Sequence, residues 1–250
     1  MLDQKEEIML SNLVITECMK YKRTFLPWMI LAGALSTSIL GIFMGLGSRD
    51  TSWNSLLADS FGWLNVLSLT IVPVLTGYIF AGEYMEGTAR VLFTYPIVRW
   101  KFYVAKYIVI SLGTVCLYLI QLLFTFLVGS LLTDFVFTWE DLWLPLYLIM
   151  IFTLAHFVTI PITALICVFA KWSGASILAG VGYGALYMAF GRSELKYFFS
   201  MIVSNTIKDS YLIGIDVLTR QELTTIFMSM VITFLIFLPI GMIYYIKTDV

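Results

Sequence analysis

The chain has 250 residues, of which 60% are hydrophobic and only 12% are charged, and its formal net charge is −1. A soluble globular domain carries roughly 25% charged residues, so these charges are too few to coat a water-exposed surface of this size. The composition indicates that lipid surrounds much of the chain, and the absence of basic blocks excludes nucleic acid as an expected partner.

Apolar runs dominate the chain after a mixed N-terminal segment. Residues 4–22 combine apolar and charged side chains, which favours an amphipathic helix at the membrane surface over a polar leader. A bilayer core about 30 Å thick requires roughly 20 apolar residues to cross as a helix. Six predicted spans follow, at residues 25–45, 63–82, 102–131, 142–170, 175–190 and 226–246. The sequence thus predicts an all-α integral membrane protein with one transmembrane domain over residues 1–250.

The distribution of Lys and Arg sets the expected orientation. With the N-terminus inside, ten of these residues face the cytoplasm and five face outward. Both termini are therefore expected in the cytoplasm, with the protein in the cell membrane. Residues 191–225 alternate short apolar pieces with charges and are expected to form an external re-entrant helical segment before the last span.

The connection between the second and third spans has its own local pattern. Glu83 and Glu86 end the apolar run, and Gly87 permits a sharp change of direction. The hydroxyl of Thr88 can cap a new helix, and Pro96 stops that helix by disfavouring helical geometry at the residue before it. These signals predict a short helix of about two turns over residues 89–93.

The predicted short helix is mostly apolar although it lies outside the bilayer. Val91, Leu92 and Phe93 would be exposed unless a partner covered them, and such patches commonly mark interaction sites. A loop that folds back on the bilayer is the alternative interpretation. Arg99, Lys101 and Lys106 are expected to return the chain to the inner surface as cationic anchors.

This pattern resembles the ABC-2 family of exporter permeases. The family has an acid after the second span, a Gly-Thr pair, a helix that ends in Pro, an Arg and a later Lys. The matching positions here are Glu83, Gly87, Thr88, Pro96, Arg99 and Lys106. The layout agrees as well, with an N-terminal interfacial helix, six spans and an external segment before the last one.

The resemblance implies a transport assembly. Two permeases, identical or homologous, would pair in the bilayer, and each would dock a cytoplasmic ABC ATPase through a coupling helix between the second and third spans. ATP and Mg²⁺ would bind the ATPase, so this chain is expected to hold no cofactor or metal and to catalyse no reaction. Residues 83–101 are the expected coupling segment. Its expected coupling residues are Glu83, Glu86, Gly87, Thr88, Arg90, Val91, Leu92, Phe93, Pro96 and Arg99.

The resemblance also suggests a cargo. Compact permeases that expel bacteriocins or peptide antibiotics are the members that this chain looks most like, so an amphipathic or peptide-like toxic compound is the expected substrate. The chain contains no G-x-x-x-x-G-K-[ST] nucleotide-binding motif, which agrees with a separate ATPase.

A stand-alone secondary transporter or channel is the main alternative, and a non-transporting membrane scaffold is another. His156, in the fourth span, is an ionisable group of the kind that such a carrier would use. A neutral imidazole hydrogen-bonded to a neighbouring helix is the favoured interpretation of His156, and Gln121 is expected to join helices in the same way.

Overall fold

The structure, a computed structural model, describes residues 2–46, 53–92, 94, 97–132, 139–200, 202, 206–207 and 218–248. These residues form α-helices and short 3-10 turns, with no β-strand among them. The predicted all-α membrane fold is therefore confirmed for the part of the chain that is described.

The helices follow the apolar runs in chain order. They are α1 (Leu2–Lys22), α2 (Leu26–Leu46), α3 (Trp53–Met85), α4 (Ala89–Leu92), α5 (Arg99–Leu132), α6 (Trp143–Ala170), α7 (Gly174–Phe190) and α8 (Arg220–Lys247). In this described part, α2, α3, α5, α6 and α8 are long and apolar enough to cross a membrane. Helix α7 is also apolar but has only 17 residues.

Helix α3 lies at the centre of the bundle. It packs against α2, α5, α6 and α7, while α8 packs mainly on the outer side of α6. The apolar windows of α3 and α6 are mostly buried, whereas only 11% of the apolar window of α8 is buried. A helix that is apolar all round is stable in such a position only when lipid or another protein covers it.

Small residues allow the central contacts to be close. A side chain at Gly41 of α2 would meet the backbone of Ser60 at 2.3 Å, and one at Gly180 of α7 would meet the carbonyl of Leu69 at 3.0 Å. Because association inside a bilayer relies on close packing rather than on the hydrophobic effect, these contacts position α2 and α7 on α3.

Two helices begin earlier than the hydropathy pattern predicted. Helix α3 starts at Trp53 rather than near residue 63, because Leu56, Leu57 and Phe61 are buried among less apolar neighbours. Helix α8 starts at Arg220 rather than near residue 226. Its first turn is closed by a capping box, in which the Thr219 hydroxyl accepts a bond from the Glu222 amide and the Glu222 carboxylate accepts one from the Thr219 amide.

Of the expected external segment, residues 191–225, residues 201, 203–205 and 208–217 lie outside the described residues. Its described part includes a 3-10 turn over Glu194–Phe198, and Tyr197 of this turn donates a hydrogen bond to Glu222 at the start of α8. The predicted re-entrant form of this segment stays a prediction.

Candidate coupling site

The turn after α3 depends on one glycine. The α3 helix ends at Met85, and the amide of Glu86 still donates to the carbonyl of Gly82 at 2.9 Å. Gly87 then adopts a φ of +70°, the left-handed region that residues with a Cβ atom rarely occupy. The predicted change of direction is confirmed at this residue, and it separates α3 from α4.

Thr88 acts on the helix before it rather than on the helix after it. Its hydroxyl was expected to cap α4, but it donates instead to the carbonyl of Glu83 at 3.4 Å, in the last turn of α3. The backbone carbonyl of Thr88 accepts a bond from the amide of Leu92, which closes the single turn of α4. The capping prediction was therefore wrong, because the left-handed residue directs Thr88 back towards α3.

Helix α4 is shorter than predicted and has two distinct faces. It contains one turn, Ala89–Leu92, after which Thr94 donates to the carbonyl of Val91. Ala89 is buried and Leu92 is partly buried against the core, so the expectation that Leu92 is exposed unless a partner covers it was wrong. Arg90 and Val91 are exposed, Val91 at 60%. The predicted coupling residues Phe93 and Pro96 lie outside the described residues.

Arg99 joins the coupling segment to the far end of the chain. Its guanidinium donates to the carbonyls of Ile246 at 2.8 Å and Thr248 at 3.4 Å, at the C-terminal end of α8. A cation at this position also interacts favourably with the partial negative charge of a helix C-terminus. Arg99 was expected as a membrane-surface anchor, and in the structure it fastens α8 to the start of α5.

A buried ionic network lies beside the turn. It consists of Glu17 of α1, Lys20 of α1, Glu83 of α3 and Lys106 of α5. The ammonium of Lys106 lies 2.9 Å from a carboxylate oxygen of Glu83 and 3.4 Å from one of Glu17, and it donates to the carbonyl of Ile79 at 3.0 Å. Lys106 is fully buried, so its expected role as a surface anchor was wrong. The network links three helices through one cation.

Lys20 closes the ionic network from its exposed side. Its ammonium lies 2.8 Å from a carboxylate oxygen of Glu17 and 2.8 Å from one of Glu83. Burial lowers the pKa of Lys20, but the Glu83 and Glu17 carboxylates more than offset burial and hold that pKa above its ordinary value. Two lysines therefore neutralise two carboxylates at the point where α1 crosses the ends of α3 and α5.

Sequence reasoning selected Glu83 and missed Glu17. A signal for Glu17 was available, because it shares one face of α1 with Leu13, Val14 and Tyr21, all of which pack towards the bundle. A carboxylate in the middle of an apolar helical face requires a cationic partner when it is buried. Nothing in the local sequence indicates that this partner is Lys106.

His156 is a packing residue in the structure. Its Nε2 atom lies 2.9 Å from the hydroxyl of Ser68 and 2.9 Å from that of Tyr118, on two neighbouring helices. Gln121 also joins helices, since it accepts a bond from Thr37 at 2.7 Å and donates to the carbonyl of Ser60 at 3.3 Å. Both interhelical predictions are confirmed. Among the described side chains, no cluster of His, Cys, Asp and Glu could hold a metal ion.

The Gly87 turn, α4, the Arg99 contact and the ionic network lie at one end of the bundle, which we term the coupling end. Lys171, after α6, lies with its ammonium 5.9 Å from the ring centre of Tyr84, and the amide of Ser173 contacts the sulfur of Met85. The end of α1, the α3–α5 connection, the α6–α7 connection and the end of α8 thus share this end. Three residues connect α4 to α3, the ionic network connects α3 to α5 and α1, and Arg99 connects α5 to α8.

A cavity of about 300 Å³ opens at the coupling end. Its walls come from the last turns of α1, the residues that lead into α2, the last turns of α3, and Lys106 of α5. The ionic network forms one wall, and Arg23 and Glu86 contribute further charges. The described residues of its walls include no catalytic constellation, and their polar groups suit a small polar ligand.

Comparison with known proteins agrees with this geometry. No curated protein matches the chain in sequence. The family model of the ABC-2 family transporter proteins matches residues 13–191, which is more than two thirds of the chain and includes the second half of α1, the coupling segment and the ionic network. The chain therefore belongs to the ABC-2 transporter family, as a multi-pass membrane component of an ABC transporter.

Proposed function

We propose that the chain is the permease subunit of an ATP-driven exporter and that residues 86–96 dock its ATPase. Membership of the ABC-2 family implies an ABC ATPase as a partner. The chain has no nucleotide-binding motif of its own, so ATP and Mg²⁺ would bind that partner. The chain would supply the membrane path and the mechanical connection.

The two faces of α4 are the observation that carries the proposal. One face is fixed to the core by Ala89 and Leu92, and the other presents Arg90 and Val91 to the surroundings. A helix of one turn has little stability alone, so its position depends on these anchors and on the Gly87 turn. An exposed apolar residue beside a cation on a fixed helix suits a partner with an apolar groove and an acidic rim.

The contacts around α4 support a route for the movement. Closure of the ATPase pair would displace α4, and α3 would follow because only Glu86, Gly87 and Thr88 separate the two helices. The ionic network would carry the displacement to α5 and α1, because a fully buried cation cannot leave its carboxylates without a large penalty. The spans would then shift together.

The cargo and the partners follow from the resemblance. We propose an amphipathic or peptide-like toxic compound as the substrate, and a second permease, identical or homologous, as the partner in the bilayer. We place the coupling end in the cytoplasm together with both termini, because ten of the fifteen Lys and Arg residues fall on the side of the N-terminus.

The test is recovery of the ATPase with the tagged chain from native membranes in mild detergent. Val91→Asp should reduce the amount of a co-purifying ABC ATPase, because a charge would be placed in an apolar contact. Ile15→Asp is the matched control, since Ile15 is exposed to a similar extent, 55%, and lies in α1, outside the expected coupling segment, residues 83–101. Equal loss with both variants, or no ATPase with the unaltered chain, would contradict docking at α4.

A further inference from the structure

The cavity at the coupling end lies at the depth of lipid headgroups. Its walls include Arg23 and Thr24, which lead directly into the span that begins at Leu26, and Glu83 and Glu86, where the span of α3 ends. The polar layer of a bilayer surrounds the ends of such spans. The cavity is thus open to the region where headgroups, rather than acyl chains, are found.

Aromatic side chains mark the same depth on the outer surface. Phe25 and Trp28 are 56% and 73% exposed at the start of α2, and rings of this kind are enriched at membrane–water interfaces. The ring of Phe25 packs edge-on against the ring of Tyr78, which lines the cavity, with 5.9 Å between ring centres. The cavity wall is therefore continuous with a membrane-facing surface.

The charges of the cavity walls define the chemistry of an occupant. The ionic network neutralises itself, because two lysines meet two carboxylates. Arg23 and Glu86 remain, both are exposed, and the described part of the chain supplies neither with an ion pair. One free cation and one free anion at the same cavity are complementary to a zwitterion. Arg23 can donate two parallel bonds to a phosphate, and Glu86 can accept bonds from an ammonium group.

We propose that this cavity binds the zwitterionic headgroup of a phosphatidylethanolamine lipid, with the phosphate at Arg23 and the primary ammonium at Glu86. A primary ammonium fits a carboxylate because it donates hydrogen bonds, which a quaternary ammonium cannot do. The acyl chains would lie against the exposed apolar side of α2, at Leu31 and Leu35. A lipid bound here would contact α1 and α3 together and so would stabilise the α1–α3 contact beside the turn.

Native mass spectrometry of the full-length chain in detergent tests the proposal. The probes are palmitoyl-oleoyl phosphatidylethanolamine and the corresponding phosphatidylglycerol, each titrated separately. Arg23→Gln should weaken binding of the first ethanolamine lipid by about tenfold or more, since a charge-assisted contact is lost. Glu86→Gln should weaken binding of the ethanolamine lipid to a similar extent. It should strengthen binding of the glycerol lipid, because the cavity then carries a net positive charge and this lipid is anionic.

Lys22→Gln is the matched control, since Lys22 is exposed, adjacent to Arg23 and absent from the cavity walls. This variant should bind both lipids as the unaltered chain does. Opposite responses of the two lipids to Glu86→Gln would support the site, because a general loss of stability cannot produce them. Lipid binding that is the same in Arg23→Gln, Glu86→Gln and Lys22→Gln would overturn it.

A soluble compound that carries the same phosphate and ammonium groups is the alternative occupant of the cavity. Glycerophosphoethanolamine, added to the lipid-bound chain, distinguishes the two. The proposal expects no displacement at concentrations comparable to that of the lipid, because the acyl chains contribute to binding. Displacement at comparable concentrations would overturn the lipid assignment in favour of a soluble zwitterion. These outcomes do not depend on the ATPase, so they are separate from the test of the proposed function.

Discussion

Lys106→Met should destabilise the fold strongly, because it removes the cation at the centre of the ionic network. The Lys106 side chain is fully buried, and Glu17 and Glu83 are only 6% and 12% exposed. Removing one partner of a buried ion pair typically costs about 3–5 kcal/mol. Lys20 retains contacts with both carboxylates, so we expect the lower end of this range, about 3 kcal/mol.

The corresponding change in melting temperature can be measured on the purified chain. For a protein of this size, each kcal/mol shifts Tm by about 2–4 °C, so Lys106→Met should lower Tm by about 6–12 °C. The fluorescence of the seven tryptophans reports unfolding in detergent without an added probe. Adding Glu83→Gln to Lys106→Met should restore part of the loss, because one uncompensated carboxylate disappears.

Lys20→Met is the control within the same network. Lys20 contacts the same two carboxylates, but its side chain is 47% exposed, and pairs of that kind contribute at most about 1 kcal/mol. Its Tm should therefore fall by no more than about 4 °C. A Lys106→Met protein as stable as the unaltered chain, or a larger loss with Lys20→Met, would refute the assignment of Lys106 as the central cation.

Three further changes test the Gly87 turn, the Arg99 contact and the packing role of His156. Gly87→Val forces a Cβ atom into a left-handed conformation and should reduce ATPase recovery while the chain still inserts; Gly82→Ala, whose added Cβ would meet nothing within 4 Å, should leave recovery unchanged. Arg99→Gln should speed amide hydrogen exchange at Thr248, because the end of α8 loses its cationic partner. His156→Phe should lower stability by about 1–3 kcal/mol, because the hydrogen bonding of its Nε2 atom to Ser68 and Tyr118 is lost, but it should retain the ATPase; loss of the ATPase at normal stability would contradict a packing role.

The features that could be predicted from the sequence are those set by residues close together in the chain. Long apolar runs predicted membrane helices, and Gly87 predicted the turn, because both signals are local. The hydropathy pattern placed the start of α3 too late, since residues 53–62 owe their burial to contacts with α2 and α5 rather than to continuous apolarity. Helix starts of this kind follow from tertiary packing.

The ionic network could not be predicted from local patterns. Lys106 was interpreted as a surface anchor because Lys residues beside spans usually lie at the membrane surface. Its burial depends on Glu83, which is 23 positions earlier, and on Glu17, which is 89 positions earlier. The contact of Thr88 was also missed because it depends on backbone geometry that the local sequence pattern does not reveal. A threonine after a glycine is a reasonable helix cap, and only the left-handed geometry of Gly87 turns its hydroxyl towards Glu83.

The bond between Arg99 and the end of α8 has a consequence for biosynthesis. Arg99 is translated 147 residues before Ile246, so the start of α5 is made long before its partner exists. A ribosome adds about 5–20 residues per second, so this contact stays open for at least several seconds. A chain that stops before residue 246 can insert its earlier helices yet cannot close this contact. Completion of the coupling end therefore reports that translation has passed α8, and a product that stops earlier should bind the proposed ATPase partner poorly.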